Sequence, residues 1–160
     1  MKSPTYGELT KSEMIDIILD FVKVNSEKYK ISIGTDSQVQ GMYVTFVTAI
    51  IVHRVGKGAI YFYDKKIVNK KFSLADRLFT EALYSIEMAH DLINDINMRQ
   101  YVFDDNSITN LEIHVDAGQN GETKNIVNSI VGMVKGNGFN VKIKPESYCA
   151  STVADKYTRR

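Results

Sequence analysis

Asp36 and Asp116 each close a run of core-type residues, ISIGTD at 31–36 and LEIHVD at 111–116. Gly, Thr, Asp and Ser are what strands commonly stop on, so a turn is the bland reading of either acid. The chemical reading is that a stiff strand holds a carboxylate where a metal can sit. Gly34, Thr35 and Ser37 beside Asp36 would then be small in order to leave room for a phosphate. If the two strands are parallel neighbours, about 4.8 Å apart, both carboxylates emerge at the same sheet edge. Ligand sites of open α/β sheets lie outside that edge. Two carboxylates held so close repel, and a hard divalent cation with oxygen ligands is the natural neutraliser.

A third acid can come from the helix that follows. Leu74, Leu78, Ala82, Ile86, Ala89 and Ile93 fall on one face at helical spacing, with Glu81 at the edge of the stripe and Glu87 nearly opposite. Glu81 can therefore reach the sheet margin, whereas Glu87 is expected in solvent. The competing role for Glu81 is a boundary ion pair with Arg77, four residues earlier. In SYCASTVADKYT, Ser151, Thr152 and Asp155 share a helix face. On spacing alone Asp155 reads as surface charge paired with Arg159. His114, two residues before Asp116, points to the same sheet face and reads as core filling rather than a proton carrier. His53 and His90 have no evident partner.

These acids need a scaffold, and the order of elements supplies one. Thr10 and Glu13 form a capping box ahead of Met14, Ile17, Ile18, Phe21 and Val22, predicting a helix over about 10–25. Strands are expected at 30–36, 42–53 and 59–64, the last two joined by a tight turn between Gly56 and Gly58. Ser73 caps a long helix to about Asn97, with Asp76 in its first turn. NSITN is a loop, LEIHVD a fourth strand, and a helix runs from about Thr123 to Lys135. GNG stops it, FNVKIK is a fifth strand, and Pro145 and Ser147 begin a last helix. An antiparallel hairpin feeding strand–helix–strand units implies an α/β fold with a mixed sheet. The first and fourth strands are expected to be central and parallel, with helices on the faces.

Bulk properties narrow the function classes. With 160 residues the chain is most simply one domain, 1–160, and a net charge of +1 demands neither a nucleic-acid nor a membrane partner. Any nucleic-acid contact must then come from local clusters, Lys65, Lys66, Lys70 and Lys71 or Lys156, Arg159 and Arg160. Cys149 is the only cysteine, which excludes an internal disulfide and fits a reducing cytoplasm. The first residues lack the apolar segment of a signal peptide, and YVTFVTAIIV is too short to span a membrane.

The order strand-end Asp, hairpin, helix Glu, strand-end Asp, C-terminal helix Asp resembles the ribonuclease H-like fold. More closely, IGTDSQ, FVTAIIVHRVGKGAIYFY, HVDAGQNGETK, VGMVKGNGF and KPESYCASTVADKYT resemble the YkuK family of bacterial proteins, predicted ribonuclease H-related nucleases. The likeness spans nearly the whole chain. It implies a five-stranded mixed sheet with antiparallel hairpin strands, and a four-acid site for two Mg²⁺ or Mn²⁺ ions. Asp36 would bridge both ions, with Glu81, Asp116 and Asp155 as the other ligands. Such a site hydrolyses phosphodiesters of nucleic acid, RNA or RNA/DNA hybrid being favoured, without a protein nucleophile. Substrate contacts would fall to Ser37, Gln38, Lys124 and Ser151, with Lys144 and the turn of Gly118 and Gly121 as further phosphate contacts. No dedicated handle for a DNA strand is legible. Two alternatives remain: an inactive nucleic-acid- or protein-binding module of the same fold, and a nucleotide-hydrolysing relative, which would need a second lobe.

Overall fold

The computed structural model describes residues 1–22, 29–99, 111–119 and 123–158. Two short strands, β1 (Lys2–Ser3) and β2 (Gly7–Glu8), precede helix α1 (Lys11–Val22). Thr10 caps α1 as expected: its hydroxyl accepts from the Glu13 amide at 3.2 Å, and Glu13 Oε2 accepts from the Thr10 amide at 2.8 Å. The predicted end of this helix, at Asn25, lies outside the described residues.

Three long strands follow, β3 (Tyr29–Gln40), β4 (Tyr43–Arg54) and β5 (Gly58–Asn69). Gly41, at φ 64°, turns β3 into β4; Gly56 and Gly58, at φ 82° and 106°, turn β4 into β5. These are left-handed conformations that glycine adopts without a Cβ clash. Helix α2 (Leu74–Met98) begins at the Ser73–Asp76 capping box. Strand β6 (Leu111–His114), helix α3 (Lys124–Gly136) and strand β7 (Asn140–Lys142) come next. The chain closes in a continuous C-terminal helix, a π-helical segment Cys149–Ala154 running into α4 (Asp155–Thr158). The π character shows in the Asp155 amide, which donates to the Ala150 carbonyl five residues back.

Among the described residues the sheet has seven strands in the order β2-β1-β5-β4-β3-β6-β7, rather than the expected five. The extra pair is a two-residue hairpin on the outer edge of β5, too short to leave a pattern in the sequence. The central pairing is as expected: β3 and β6 are parallel, with Ile31 opposite Leu111 and Gly34 opposite His114. β3–β4 and β4–β5 are antiparallel.

One expectation about β3 is corrected. The strand does not end on Asp36 but continues to Gln40, because the β4 ladder holds it through Gln40 opposite Tyr43. What ends near this level is the neighbour: β6 pairs with β3 only as far as Gly34. Asp36 thus sits on a strand hydrogen-bonded to β4 on one side and past the end of its parallel ladder on the other.

The two sheet faces carry unequal cores. On one face α1, α2 and α3 pack Met14, Ile15, Ile18, Ala82, Ile86, Leu92, Val127 and Ile130 against Ile31, Ile33, Ile50 and Phe62. On the other, a smaller cluster joins Val47, Ala49 and Ile51 to Cys149 and Ala154 of the C-terminal helix, with Tyr61, Tyr63, Val153 and Tyr157 around it. Tyr157 stacks on Tyr63 with ring centroids 3.8 Å apart, and its hydroxyl lies 2.9 Å from that of Tyr61. The helix approaches β3 closely because residue 34 has no side chain. A Cβ there would lie 2.7 Å from the Ala150 amide nitrogen and 3.0 Å from its Cα.

Candidate metal and nucleic-acid site

Alternation along β3 divides the site between the two faces. Ser32, Gly34 and Asp36 face the C-terminal helix; Ser32 meets the Tyr148 hydroxyl at 2.8 Å and Asp36 Oδ2 accepts from Thr158 Oγ1 at 3.1 Å. Thr35 and Ser37 face α2. Thr35 Oγ1 bonds both Thr48 and Ser85, and Ser37 Oγ donates to Glu81 Oε1 at 2.6 Å. The small residues around Asp36 therefore do not serve to leave room for a phosphate. Gly34 admits a helix backbone, while Thr35 and Ser37 make buried or half-buried hydrogen bonds.

Glu81 is buried and Glu87 exposed, as their positions around α2 require. Arg77 acts on Glu81 through its charge and donates weakly to the Ser37 carbonyl, at 3.5 Å. The bonded partner of Glu81 is Ser37 rather than Arg77. Asp116 follows the end of β6 by two residues. The strand's alternation continues this far, since the Val115 amide donates to the Lys142 carbonyl and the Lys144 amide to that of Ala117. Asp155 opens α4 and lines, with Asp36, Ser37, Gln38 and Thr158, an open cleft of about 340 Å³.

Asp36 is linked by charge to Asp155, Asp116 and Glu81, and Glu81 to Asp116. Burial above all pushes Asp36 up to about 6; the charges of Asp155 and Asp116 add to the rise, and the Thr158 hydrogen bond opposes it. Burial likewise pushes Glu81 up to about 7, against the Ser37 hydrogen bond and with the charges of Asp36 and Asp116 behind it. Asp116 Oδ1 is buried and accepts no hydrogen bond, although Lys144 Nζ stands 3.2 Å away as an ion partner. Gln38 Oε1 is also buried without a hydrogen bond. Among the described residues, no three His, Cys, Asp or Glu side chains are already assembled around a single ion position. The donor set nonetheless fits a hard cation: carboxylate oxygens that are desolvated, crowded by like charge, and in one case short of a hydrogen bond.

Other sequence-selected residues fall elsewhere. Lys124 is exposed at the start of α3, and Ser151 spends its hydroxyl on the Ser147 carbonyl at 3.0 Å. Neither lines the cleft beside Asp36. Gly121, Arg159 and the NSITN loop lie outside the described residues. Lys66 sits over the Tyr84 ring, Lys70 over Phe72 and Lys156 over Tyr157. His90 pairs with Asn137 at 3.3 Å and packs edge-on against Phe139.

His114 is structural. Its Nδ1 accepts from the Cys149 amide at 3.2 Å, so Nε2 carries the proton and donates to Glu112 Oε2 at 3.3 Å. Burial lowers its pKa, against the pull of Glu112. Thr158 was not singled out from the sequence; the available signal was its place three residues after Asp155, on the same side of the helix.

Sequence comparison agrees with this architecture. The Ribonuclease H-like family profile matches residues 13–159. The uncharacterized protein YkuK of Bacillus subtilis (strain 168) is 32% identical over 160 residues, covering 96% of this chain and 93% of the relative. The chain belongs to the YkuK family of ribonuclease H-like proteins. Two solved structures are similar to it in outline. One is RNase H1 from the halophilic archaeon Halobacterium salinarum NRC-1, with a TM-score of 0.43 and 13% identity over 79% of this chain and 96% of that one. The other is the N-terminal RNase H domain of Rv2228c from Mycobacterium tuberculosis, with a TM-score of 0.41 and 9% identity over 82% and 95%. No helix among the described residues is long and apolar enough to cross a membrane.

Proposed function

We propose that this YkuK-family chain is a divalent-metal-dependent nuclease that hydrolyses phosphodiester bonds of nucleic acid, RNA or RNA/DNA hybrid first among them. The observation that carries this reading is that Asp36, at an open cleft it shares with Asp155, feels the charges of Asp155 and Asp116, while Glu81 feels those of Asp36 and Asp116. Isolated carboxylates held this way destabilise the fold, and Mg²⁺ or Mn²⁺ would relieve them. The four acids would hold two such ions, whose chemistry is to activate a water and to neutralise charge at the leaving oxygen.

The chain's own residues do the positioning. Thr158 and the Ser37 amide hold the Asp36 carboxylate, and the Ser37 hydroxyl fixes Glu81 by a short hydrogen bond. Gln38 lines the cleft beside Asp36 and would offer its side-chain amide to a sugar hydroxyl.

The second reading is a binding module that keeps the fold without turnover. Labelled single-stranded RNA, RNA/DNA hybrid and DNA, incubated with the protein in Mn²⁺, separate the two. The nuclease reading expects cleavage that falls by more than about a hundredfold in Asp36→Asn, since even outer partners of metal ligands cost 10–100-fold. Cleavage by Asp36→Asn at the wild-type rate would remove Asp36 from the site. Binding of these strands without cleavage would establish the module instead.

A further inference from the structure

Lys144 Nζ stands 3.2 Å from Asp116 Oδ1, the buried carboxylate oxygen that accepts no hydrogen bond. The lysine is held there by the backbone. The Val115 amide bonds the Lys142 carbonyl at 2.8 Å and the Lys144 amide bonds the Ala117 carbonyl at 3.2 Å, continuing the β6–β7 ladder past both strands. These bonds set residue 144 beside residue 116 whatever its side chain does. The side chain itself is about half exposed, at 53%, whereas that of Asp116 is only 19% exposed. The carboxylate is thus fixed and the ammonium is free to swing away. A lysine ammonium and a divalent ion compete for this carboxylate, and their like charges repel when both approach it.

We propose that Lys144 is a gate cation: it occupies Asp116 in the metal-free protein, is displaced when a metal ion binds, and is then available to a nucleic-acid phosphate. The inference rests on the metal-site reading above and adds a regulatory property to it. The protein alone binds metal less tightly than its carboxylates allow, and a nucleic-acid phosphate that accepts the displaced ammonium strengthens metal binding in return. By linkage, metal strengthens nucleic-acid binding to the same degree. Lys144 acts through Asp116, so its role is to regulate and position.

The test is calorimetric titration of Mn²⁺ into the wild type, Lys144→Gln and Lys144→Arg, with no nucleic acid present. Loss of a partly exposed competing cation should tighten Mn²⁺ binding about two- to fivefold in Lys144→Gln, while Lys144→Arg keeps wild-type affinity. In parallel, acetylation of Lys144 by acetic anhydride, followed by mass spectrometry, should speed up when Mn²⁺ is added, because the amine is released from its carboxylate. Equal or weaker Mn²⁺ binding by Lys144→Gln, or acetylation indifferent to Mn²⁺, would overturn the gate and leave the metal site standing. No Mn²⁺ binding by any of the three proteins would overturn the metal site and the gate together.

Discussion

Gly34→Ala tests how the C-terminal helix is held, and its effect can be worked out from the structure. The added Cβ would lie 2.7 Å from the Ala150 amide nitrogen and 3.0 Å from both its Cα and its Cβ. Ordinary carbon contacts begin at about 3.5 Å, so strand and helix must separate by roughly 0.5–0.8 Å. All three atoms are backbone or Cβ, so no rotamer change relieves the clash. β3 cannot yield readily, because residue 34 is paired with Ala49 on one side and His114 on the other. The helix must move instead. Overpacking of this kind costs about 1–3 kcal/mol. For a chain of this size that is a fall of roughly 3–9 °C in Tm, measured by circular dichroism. Asp155 and Thr158 lie on the same helix, so Mn²⁺ affinity should drop about tenfold alongside. Adding Ala150→Gly removes one of the three close atoms and should restore part of the loss. A Gly34→Ala protein with wild-type Tm would refute the contact argument. A lowered Tm with unchanged Mn²⁺ affinity would mean that the helix does not carry the site.

Three further outcomes follow from the same geometry. Asp36 and Glu81 are raised to about 6 and about 7, so the folded protein keeps protons that the unfolded chain releases. Metal-free stability should therefore fall as pH rises from about 4 to about 7, by roughly 5 kcal/mol after halving the Asp36 share for solvent. Urea melts at pH 5 and pH 8 measure this; a rise across that window, or no flattening in Asp36→Asn/Glu81→Gln, would contradict it. Ser37→Ala removes the 2.6 Å hydrogen bond to Glu81. It should weaken Mn²⁺ binding several-fold, corresponding to about 1–2 kcal/mol for a bond to a charged group, and unchanged calorimetry would place Glu81 outside the site. His114→Leu strands the Cys149 amide in the interior, while Glu112 keeps Lys30 at 3.0 Å, and should destabilise by about 1–3 kcal/mol in urea melts. It should leave the pH dependence of any cleavage unaltered, and a shifted pH profile would make His114 a proton carrier after all.

Much of this was legible in the sequence because the signals were local. The Ser73–Asp76 and Thr10–Glu13 boxes, the period of α2 and the glycines around residue 57 each decide their own element, and the structure keeps them. The parallel β3–β6 pair was legible from the order of elements and from two short runs bounded by turn residues. What was not legible depended on partners distant in sequence. Thr35, Asp36 and Ser37 look like the end of a strand, yet the hairpin with β4 carries the strand on to Gln40. Gly34 looks like a turn residue and is instead the contact point for Ala150, 116 positions away. Lys144 looks like a free phosphate contact, and only the ladder beyond β6 and β7 shows that it meets Asp116. Of the candidate contacts, Ser37 and Gln38 fall at the cleft because they continue β3 past Asp36, whereas Lys124 and Ser151 do not line it.

The unequal cores on the two sheet faces have a kinetic consequence. Asp36 and Glu81 sit on elements tied into the larger core, while Asp155 rides on a short helix anchored by Cys149, Ala154 and the tyrosine stack. Cooperative units open at their own free energies, and the smaller unit opens first. Amide protons of 149–158 should thus exchange ahead of those in β3 and β4. Detachment of this arm would take one acid from the cleft while the other three remain in place, so the lifetime of the assembled site would be set by the docking of a ten-residue segment rather than by global stability.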